Sequence, residues 1–215
     1  MHPVLVNSPL ARPLQATSAW TIFFGLMVLA NPLSAQTAKA TLAAPASPAK
    51  TASAACPAVL QHSFARLQDD KPQALCQYAG KVVLVVNTAS YCGYTNQYEG
   101  LETLHARYAS KGLVVLGFPT NDFGQQEPGN AKQIAELCFN TYGVRFPMFA
   151  KTTVRGKDAN PLFAALAQTT GTAPGWNFHK YLVDRQGKAV TSFKSDTTPT
   201  SATLVAAIEK ALAAP

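Results

Sequence analysis

The sequence has no apolar run approaching the ~20 residues that a membrane-spanning helix needs. Its longest such run covers residues 20–30, and residues 1–19 before it contain one arginine and no acidic residue. Small residues further on allow cleavage after Ala35 or after Ala40. We therefore expect residues 1–35 to be a signal peptide that exports the protein to the periplasm. An uncleaved membrane anchor is the alternative.

Large apolar residues are also nearly absent from residues 36–55, where Leu42 is the one larger aliphatic side chain and there is no aromatic. Such a segment cannot bury a core, so we expect a disordered linker. Residues 56–215 are long enough for one domain with a single core.

A basic cluster interleaved with aromatic residues is missing as well, although the formal net charge is +7. Nucleic-acid binding would require such a cluster, so we expect no nucleic-acid partner. The scattered positive charge predicts at most a general attraction to anionic surfaces.

Cysteine is scarce, with four residues in the chain. Cys56 and Cys76 lie outside every motif discussed below, and an oxidising compartment makes a structural disulfide their simplest use. Such a bond would close a loop of about 20 residues and contribute roughly 3 kcal/mol.

Two continuous β-branched and aliphatic runs, at residues 82–86 and 113–118, predict buried strands. Between them, apolar residues recur at three- and four-residue spacing from Tyr98 to Tyr108, which predicts a helix. Strand, helix and strand in this order indicate a parallel βαβ unit.

The remaining pattern predicts three more helices and a hairpin. The helices are expected at residues 130–142, 161–168 and 200–212, and the hairpin strands at residues 180–183 and 189–193. Together these elements predict an α/β fold of the thioredoxin-like type, with a central mixed β-sheet flanked by helices on both faces.

Cys92 follows the first predicted central strand and precedes the crossover helix. Open α/β sheets place their sites at this edge. Unpaired N–H groups at a helix N-terminus favour the thiolate, which is the nucleophilic form of cysteine. The polar and glycine neighbours Ser90, Gly93 and Thr95 favour an open loop over the alternative of a buried, inert cysteine.

Three ordered segments resemble the glutathione peroxidase family. Residues 87–93 (Asn-Thr-Ala-Ser-Tyr-Cys-Gly) resemble its nucleophile loop, residues 118–129 its second motif, and residues 176–183 (Trp-Asn-Phe-His-Lys-Tyr-Leu-Val) its third. The resemblance runs from about Gly80 to Leu212. Thr120 and Asp122 depart from the residues that many members carry, Cys and Gln.

This resemblance implies a thiol peroxidase of the cysteine type, without cofactor or metal. It would reduce hydrogen peroxide and organic or lipid hydroperoxides through a sulfenic acid on Cys92. Carried over by position, the catalytic set is Cys92, Gln126, Trp176 and Asn177. Neutral amide and indole donors suit a reaction in which a thiolate attacks and an oxygen departs.

Cys138 matches the position of the resolving cysteine in two-cysteine members of the family. This favours a thioredoxin-like dithiol donor, with glutathione as the alternative reductant. An ordinary core cysteine is the alternative to a resolving role for Cys138. A Cys92–Cys138 disulfide needs Cα atoms within about 7 Å, so we expect local unfolding around Cys138. The short segment between Phe163 and Trp176 favours a monomer.

Two other functions remain open at this stage. A periplasmic thiol–disulfide oxidoreductase would share the fold, but such proteins usually carry Cys-x-x-Cys, and Thr95 stands where the second cysteine would be. A non-enzymatic redox sensor would share the first chemical step at Cys92.

Overall fold

The structure is a computed structural model that describes residues 55–214. The predicted signal peptide at residues 1–35 and the predicted linker, apart from Ala55, lie outside the described residues. Across residues 55–214, no helix is long and apolar enough to cross a membrane.

A four-stranded mixed sheet forms the centre of the domain, in the strand order β4-β3-β5-β6. The strands are β3 Val82–Thr88, β4 Leu113–Pro119, β5 Lys180–Val183 and β6 Ala189–Phe193. Strand β4 runs parallel to β3, whereas β5 and β6 are antiparallel to their neighbours. All residues of β3, β4 and β5 are buried, as expected for strands covered on both faces.

Four α-helices cover the sheet: α1 Gln97–Tyr108, α2 Ala131–Ala135, α3 Pro161–Thr170 and α4 Ala202–Ala213. Alternate residues of β3 point to opposite faces. Val82, Leu84 and Val86 join the core under α1, α2 and α4. Val83 and Val85 join the core under α3. The predicted mixed sheet with helices on both faces is confirmed.

The sequence pattern assigned no element before residue 80, but the structure has a small hairpin there. Strands β1 Ser63–Ala65 and β2 Pro72–Ala74 pair antiparallel, and short 3₁₀ helices cover Ala58–Leu60 and Leu75–Tyr78. Strands of three residues are too short to show a clear period of two.

The predicted disulfide between Cys56 and Cys76 is present, with the Cα atoms 5.2 Å apart. Cys76 lies in the 3₁₀ helix Leu75–Tyr78, and Leu75 and Tyr78 beside it are buried in the core under α3. The bond therefore ties the start of the domain to its packed interior.

The predicted helix at residues 130–142 is only partly α-helical. Asn130 caps it through a reciprocal pair of hydrogen bonds with Gln133, but after Ala135 the chain becomes a π-helical turn, Glu136–Thr141. The Tyr142 N–H donates to the Leu137 carbonyl, five residues back, at 3.1 Å. Residues 139–142 (Phe-Asn-Thr-Tyr) all have modest helix propensity, so the local sequence does little to favour an α-helical turn over a π-helical one.

Candidate active site

Cys92 lies in a run of turns between β3 and α1. The sequence placed it near a helix N-terminus, but α1 does not begin until Gln97. The macrodipole acts mainly within the first turn, so it is not the main feature at this sulfur. Instead, the backbone N–H of Tyr94 donates to Cys92 Sγ at 3.4 Å.

The Thr95 hydroxyl braces the turn that carries Cys92. It accepts a hydrogen bond from the Cys92 N–H at 3.0 Å and lies 3.0 Å from the Ala89 carbonyl, to which it can donate. A Cβ atom added at Gly93 would meet nothing within 4 Å. The Cys92 loop is therefore held by the Thr95 hydroxyl and has open space beside Gly93.

Gln126 and Asn177, which are far apart in sequence, contact each other directly. The Asn177 Nδ2 donates to Gln126 Oε1 at 3.0 Å. The Gln126 backbone carbonyl accepts from the Tyr91 N–H, also at 3.0 Å. Because its side-chain oxygen accepts from Asn177, the Gln126 amide has its NH₂ group available as a donor.

Trp176 is 40 % exposed, and its ring lies 5.8 Å from that of Phe123. Its backbone is held by Asn87, a fully buried residue of β3. Asn87 Nδ2 donates to the Trp176 carbonyl at 3.1 Å, and the Asn87 carbonyl accepts from the Phe178 N–H at 2.6 Å. No role was predicted for Asn87 from the sequence, although an amide at the end of an apolar buried strand is an unusual feature.

Strained backbone flanks both amide residues of the predicted set. Gln125 has φ 53° and Phe178 has φ 62°, and each adjoins one of the two amides. A left-handed conformation at a residue other than glycine costs about 1–3 kcal/mol and persists where its surroundings fix it. Phe178 is fixed by burial and by an edge-on contact with Tyr98, with ring centroids 5.3 Å apart.

The two residues that depart from the resemblance hold the loop before Gln126. Asp122 Oδ2 accepts from the Val154 N–H at 2.7 Å, and Thr120 Oγ1 accepts from the Asp122 N–H at 3.3 Å. Both side chains therefore accept hydrogen bonds from backbone N–H groups.

Cys138 is fully buried in the π-helical turn, and Cys92 and Cys138 are both free thiols. Burial raises the pKa of the Cys138 thiol to about 12, which keeps it protonated at neutral pH. The structure thus links the Cys92 loop to Gln126 and Asn177, with Trp176 next to Asn177 in the chain, and leaves Cys138 as a free thiol in the adjacent core.

A cavity of about 440 Å³ adjoins Trp176 and Tyr94. Its other lining residues are Thr172, Ala173, Gly175, His179, Lys194, Ser195 and Asp196. Burial, together with the charge of Lys180, lowers the pKa of His179 to about 4, so the imidazole is neutral near pH 7. Within residues 55–214, no group of three or more metal-ligating side chains lies together.

Residues 60–167 match the family described as glutathione peroxidase. The chain belongs to the glutathione peroxidase family. It is 47 % identical to a hydroperoxy fatty acid reductase of Synechocystis sp., over 67 % of this chain and 90 % of that protein. It is 50 % identical to a glutathione peroxidase-like peroxiredoxin of Chlamydomonas reinhardtii, over 62 % of this chain and 83 % of that protein.

Solved structures agree with this assignment. The crystal structure of Trgpx in its apo form is similar with a TM-score of 0.59 and 35 % identity, over 73 % of this chain and 96 % of that one. A thiol:disulfide interchange protein of the thioredoxin family from Chlorobium tepidum has a TM-score of 0.54 at 17 % identity, over 70 % and 92 %. The latter likeness shows the fold alone. This glutathione peroxidase family member is a thiol peroxidase with a thioredoxin-like fold.

Proposed function

We propose that Cys92 is the peroxidatic nucleophile and that Gln126, Trp176 and Asn177 assist it. One observation carries this proposal. The loop that holds Cys92 is hydrogen-bonded to Gln126, which is in turn bonded to Asn177, so three of the four residues belong to one connected network.

In the first step, the Cys92 thiolate attacks one oxygen of the peroxide. The O–O bond breaks, the sulfur becomes a sulfenic acid, and the other oxygen leaves as water or an alcohol after taking a proton. The sulfur is oxidised and the peroxide is reduced. N–H donors from the Gln126 amide and the Trp176 indole stabilise the negative charge on the departing oxygen, and neither group titrates near neutral pH.

The substrates are proposed to be hydrogen peroxide and organic or lipid hydroperoxides. The loop is open beside Gly93, and the cavity next to Trp176 offers aromatic surface at Tyr94 and Trp176 for an acyl chain. The Synechocystis relative is named a hydroperoxy fatty acid reductase, which supports this choice.

Recycling is proposed to run through Cys138. Its thiol condenses with the Cys92 sulfenic acid, releasing water and forming a disulfide, which a dithiol donor then reduces to two thiols. We expect the π-helical turn to open first, since Cys138 is fully buried within it, and π-helical segments frequently lie at functional sites. A thioredoxin-like donor is favoured over glutathione, since similar proteins are named peroxiredoxins. We propose that the enzyme acts as a monomer.

We also propose that the enzyme is exported to the periplasm. The apolar run at residues 20–30 and the small residues near Ala35 and Ala40 support this. The Cys56–Cys76 disulfide fits an oxidising compartment.

Thiol–disulfide exchange in other proteins is less well supported than peroxide reduction. The position of a second motif cysteine is occupied by Thr95, whose hydroxyl supports the Cys92 turn. A sensor that only transmits oxidation would react with peroxide but show no steady-state turnover with a dithiol donor.

Rapid-mixing kinetics test the proposal. The full-length protein is mixed with hydrogen peroxide or a fatty-acid hydroperoxide, thiols are blocked at set times, and mass spectrometry reports sulfenic acid and disulfides. We expect Cys92→Ser to abolish peroxide reduction, and Cys138→Ser to leave one rapid turnover and block recycling. Peroxide consumption by Cys92→Ser would refute the mechanism, and full turnover by Cys138→Ser would remove only the resolving role.

A further inference from the structure

Glu127 follows the active-site residue Gln126 and is fully buried, with 0 % of its surface exposed. No other acidic residue of the described chain is buried to this extent. Neither carboxylate oxygen has a hydrogen-bond partner of ordinary geometry. Burial makes it costly to ionise this carboxyl group, and its pKa is raised accordingly.

The Glu127 carboxylate lies between the two cysteines' segments. On one side, the hydroxyl and N–H of Ser90, two residues before Cys92, act on it and lower its pKa. On the other side, its negative charge reaches Cys138 and raises the pKa of that thiol further.

A cavity of about 150 Å³ adjoins this carboxylate. It is lined on one side by Ser90 and Tyr91 of the Cys92 loop and on the other by Glu136, Leu137 and Thr141 of the π-helical turn. A cavity of this size with polar groups on its wall has room for water, which can carry a proton between groups that do not touch. Opening of the π-helical turn would take place along the same wall.

Disulfide formation has a proton requirement that the thiol cannot meet alone. A cysteine thiol is mostly protonated near neutral pH even after the turn opens, so Cys138 needs a base to take its proton as it attacks. The oxygen that leaves Cys92 needs a proton to depart as water.

We propose that Glu127 accepts the proton of the Cys138 thiol and returns it to the departing oxygen, an inference that rests on the proposed resolving role of Cys138. Cys138 Sγ attacks Cys92 Sγ, the S–S bond forms and the S–O bond breaks. The thiol proton passes to the Glu127 carboxylate and then, through water, to the leaving hydroxide. The Cys138 sulfur is oxidised, the Cys92 sulfur is reduced, and no further reactant is needed.

The surroundings of Glu127 set the direction of its pH dependence. Burial raises its pKa, and this outweighs the lowering by Ser90 and by Lys151, whose Nζ donates to the Glu127 carbonyl at 3.0 Å. The other titratable groups facing it are Cys138, Tyr98, Tyr91 and Glu136. Protonated Glu127 cannot accept a proton, so the rate of disulfide formation is expected to fall as the pH drops through its raised pKa.

The test separates the two chemical steps in full-length protein. Sulfenic acid formation and Cys92–Cys138 disulfide formation are each followed by quenched-flow mass spectrometry from pH 5 to pH 9. The variant is Glu127→Gln, which keeps the shape and removes the charge. The matched control is Glu136→Gln, because Glu136 lines the same cavity but is exposed.

We expect Glu127→Gln to slow disulfide formation at least 10-fold and to remove the fall of its rate at low pH, which we call the acid limb. The rate of the peroxide step should change less than twofold. Glu136→Gln should match the wild type. Glu127→Asp keeps a carboxylate and should keep the acid limb at a lower rate, which a purely structural role would not produce.

Equal slowing of both steps, or an unchanged pH profile in Glu127→Gln, would overturn the proposal while leaving Cys138 as the resolving cysteine. If the wild type forms no Cys92–Cys138 disulfide, the resolving role fails and the role of Glu127 fails with it.

Discussion

The side-chain amide of Asn87 donates a hydrogen bond to the backbone carbonyl of Trp176 at 3.1 Å. The backbone carbonyl of Asn87 accepts from the Phe178 N–H, so the side chain and the main chain of one buried residue on β3 together hold the Trp176–Phe178 turn. The strand that leads to Cys92 thereby positions the segment that carries the indole and the Asn177 amide.

Replacing Asn87 with Ala is expected to slow the peroxide step about 10-fold, because small displacements of positioned groups are costly in catalysis. The measurement is the second-order rate constant with hydrogen peroxide. Asn96→Ala is the matched control, since Asn96 is exposed and its side chain makes no cap hydrogen bond. An unchanged rate in Asn87→Ala would show that the turn holds its shape without the clamp.

Replacing Asn177 with Asp is expected to lower the peroxide rate constant on the order of 100-fold, as for loss of one oxyanion donor. A carboxylate cannot donate to Gln126 Oε1, so the Gln126 amide would turn its NH₂ toward the new acid and withdraw it from the site. Asn177→Ala removes the bond without forcing this turn, so we expect it to be less damaging. The two variants are compared by rapid mixing at pH 7, and a slower Ala variant would contradict the proposed orientation.

Replacing Cys56 and Cys76 together with Ser is expected to lower the free energy of unfolding by about 3 kcal/mol, following the chain-entropy estimate for the loop they close. The disulfide lies in the N-terminal hairpin region, away from Cys92. The peroxide step should therefore be unchanged. Urea denaturation and rapid-mixing kinetics on the same samples check both halves, and a large loss of activity without loss of stability would be inconsistent with a structural bond.

Lys180 is fully buried and donates to Gln97 Oε1 at 2.5 Å and to the Thr197 carbonyl at 2.7 Å. Burial lowers its pKa to about 7, below the ~10.4 of an unfolded lysine. Between these values the unfolded state binds the extra proton, so this group makes stability rise with pH. Well below pH 7 the lysine is protonated in both the folded and the unfolded state, so its contribution to the unfolding free energy no longer changes with pH.

Lys180→Met should remove this slope. From pH 7.5 to pH 9.5, the difference in unfolding free energy between wild type and Lys180→Met is expected to rise by about 1 kcal/mol per pH unit in favour of the wild type. Urea denaturation across this range measures it, and the exposed Lys188→Met is the control. Parallel curves for wild type and Lys180→Met would show that Lys180 stays charged in the fold.

Much of the fold follows from local sequence pattern. The hairpin strands Lys180–Val183 and Ala189–Phe193 have the predicted bounds, and the apolar runs became β3 and β4 with one or two extra residues. These elements were readable because a buried strand or an amphipathic helix repeats its apolar residues at a fixed short period. The π-helical turn Glu136–Thr141 was not readable, since α and π turns place apolar residues at similar intervals.

The sequence by itself indicated the family, a disulfide as the simplest use of Cys56 and Cys76, and the four residues proposed for the active site, because motifs and residue chemistry are carried by the chain. Tertiary structure decided which groups meet. It brought Asn177 into hydrogen-bond contact with Gln126, and Asn87 into hydrogen-bond contact with the Trp176 carbonyl. At Cys92 it placed the backbone N–H of Tyr94 near the sulfur, where the sequence had predicted a helix N-terminus. It also enclosed Glu127 between two cysteine segments. Contacts of this kind depend on how segments that are far apart in sequence pack together. A local sequence pattern carries no information about which distant segments become neighbours.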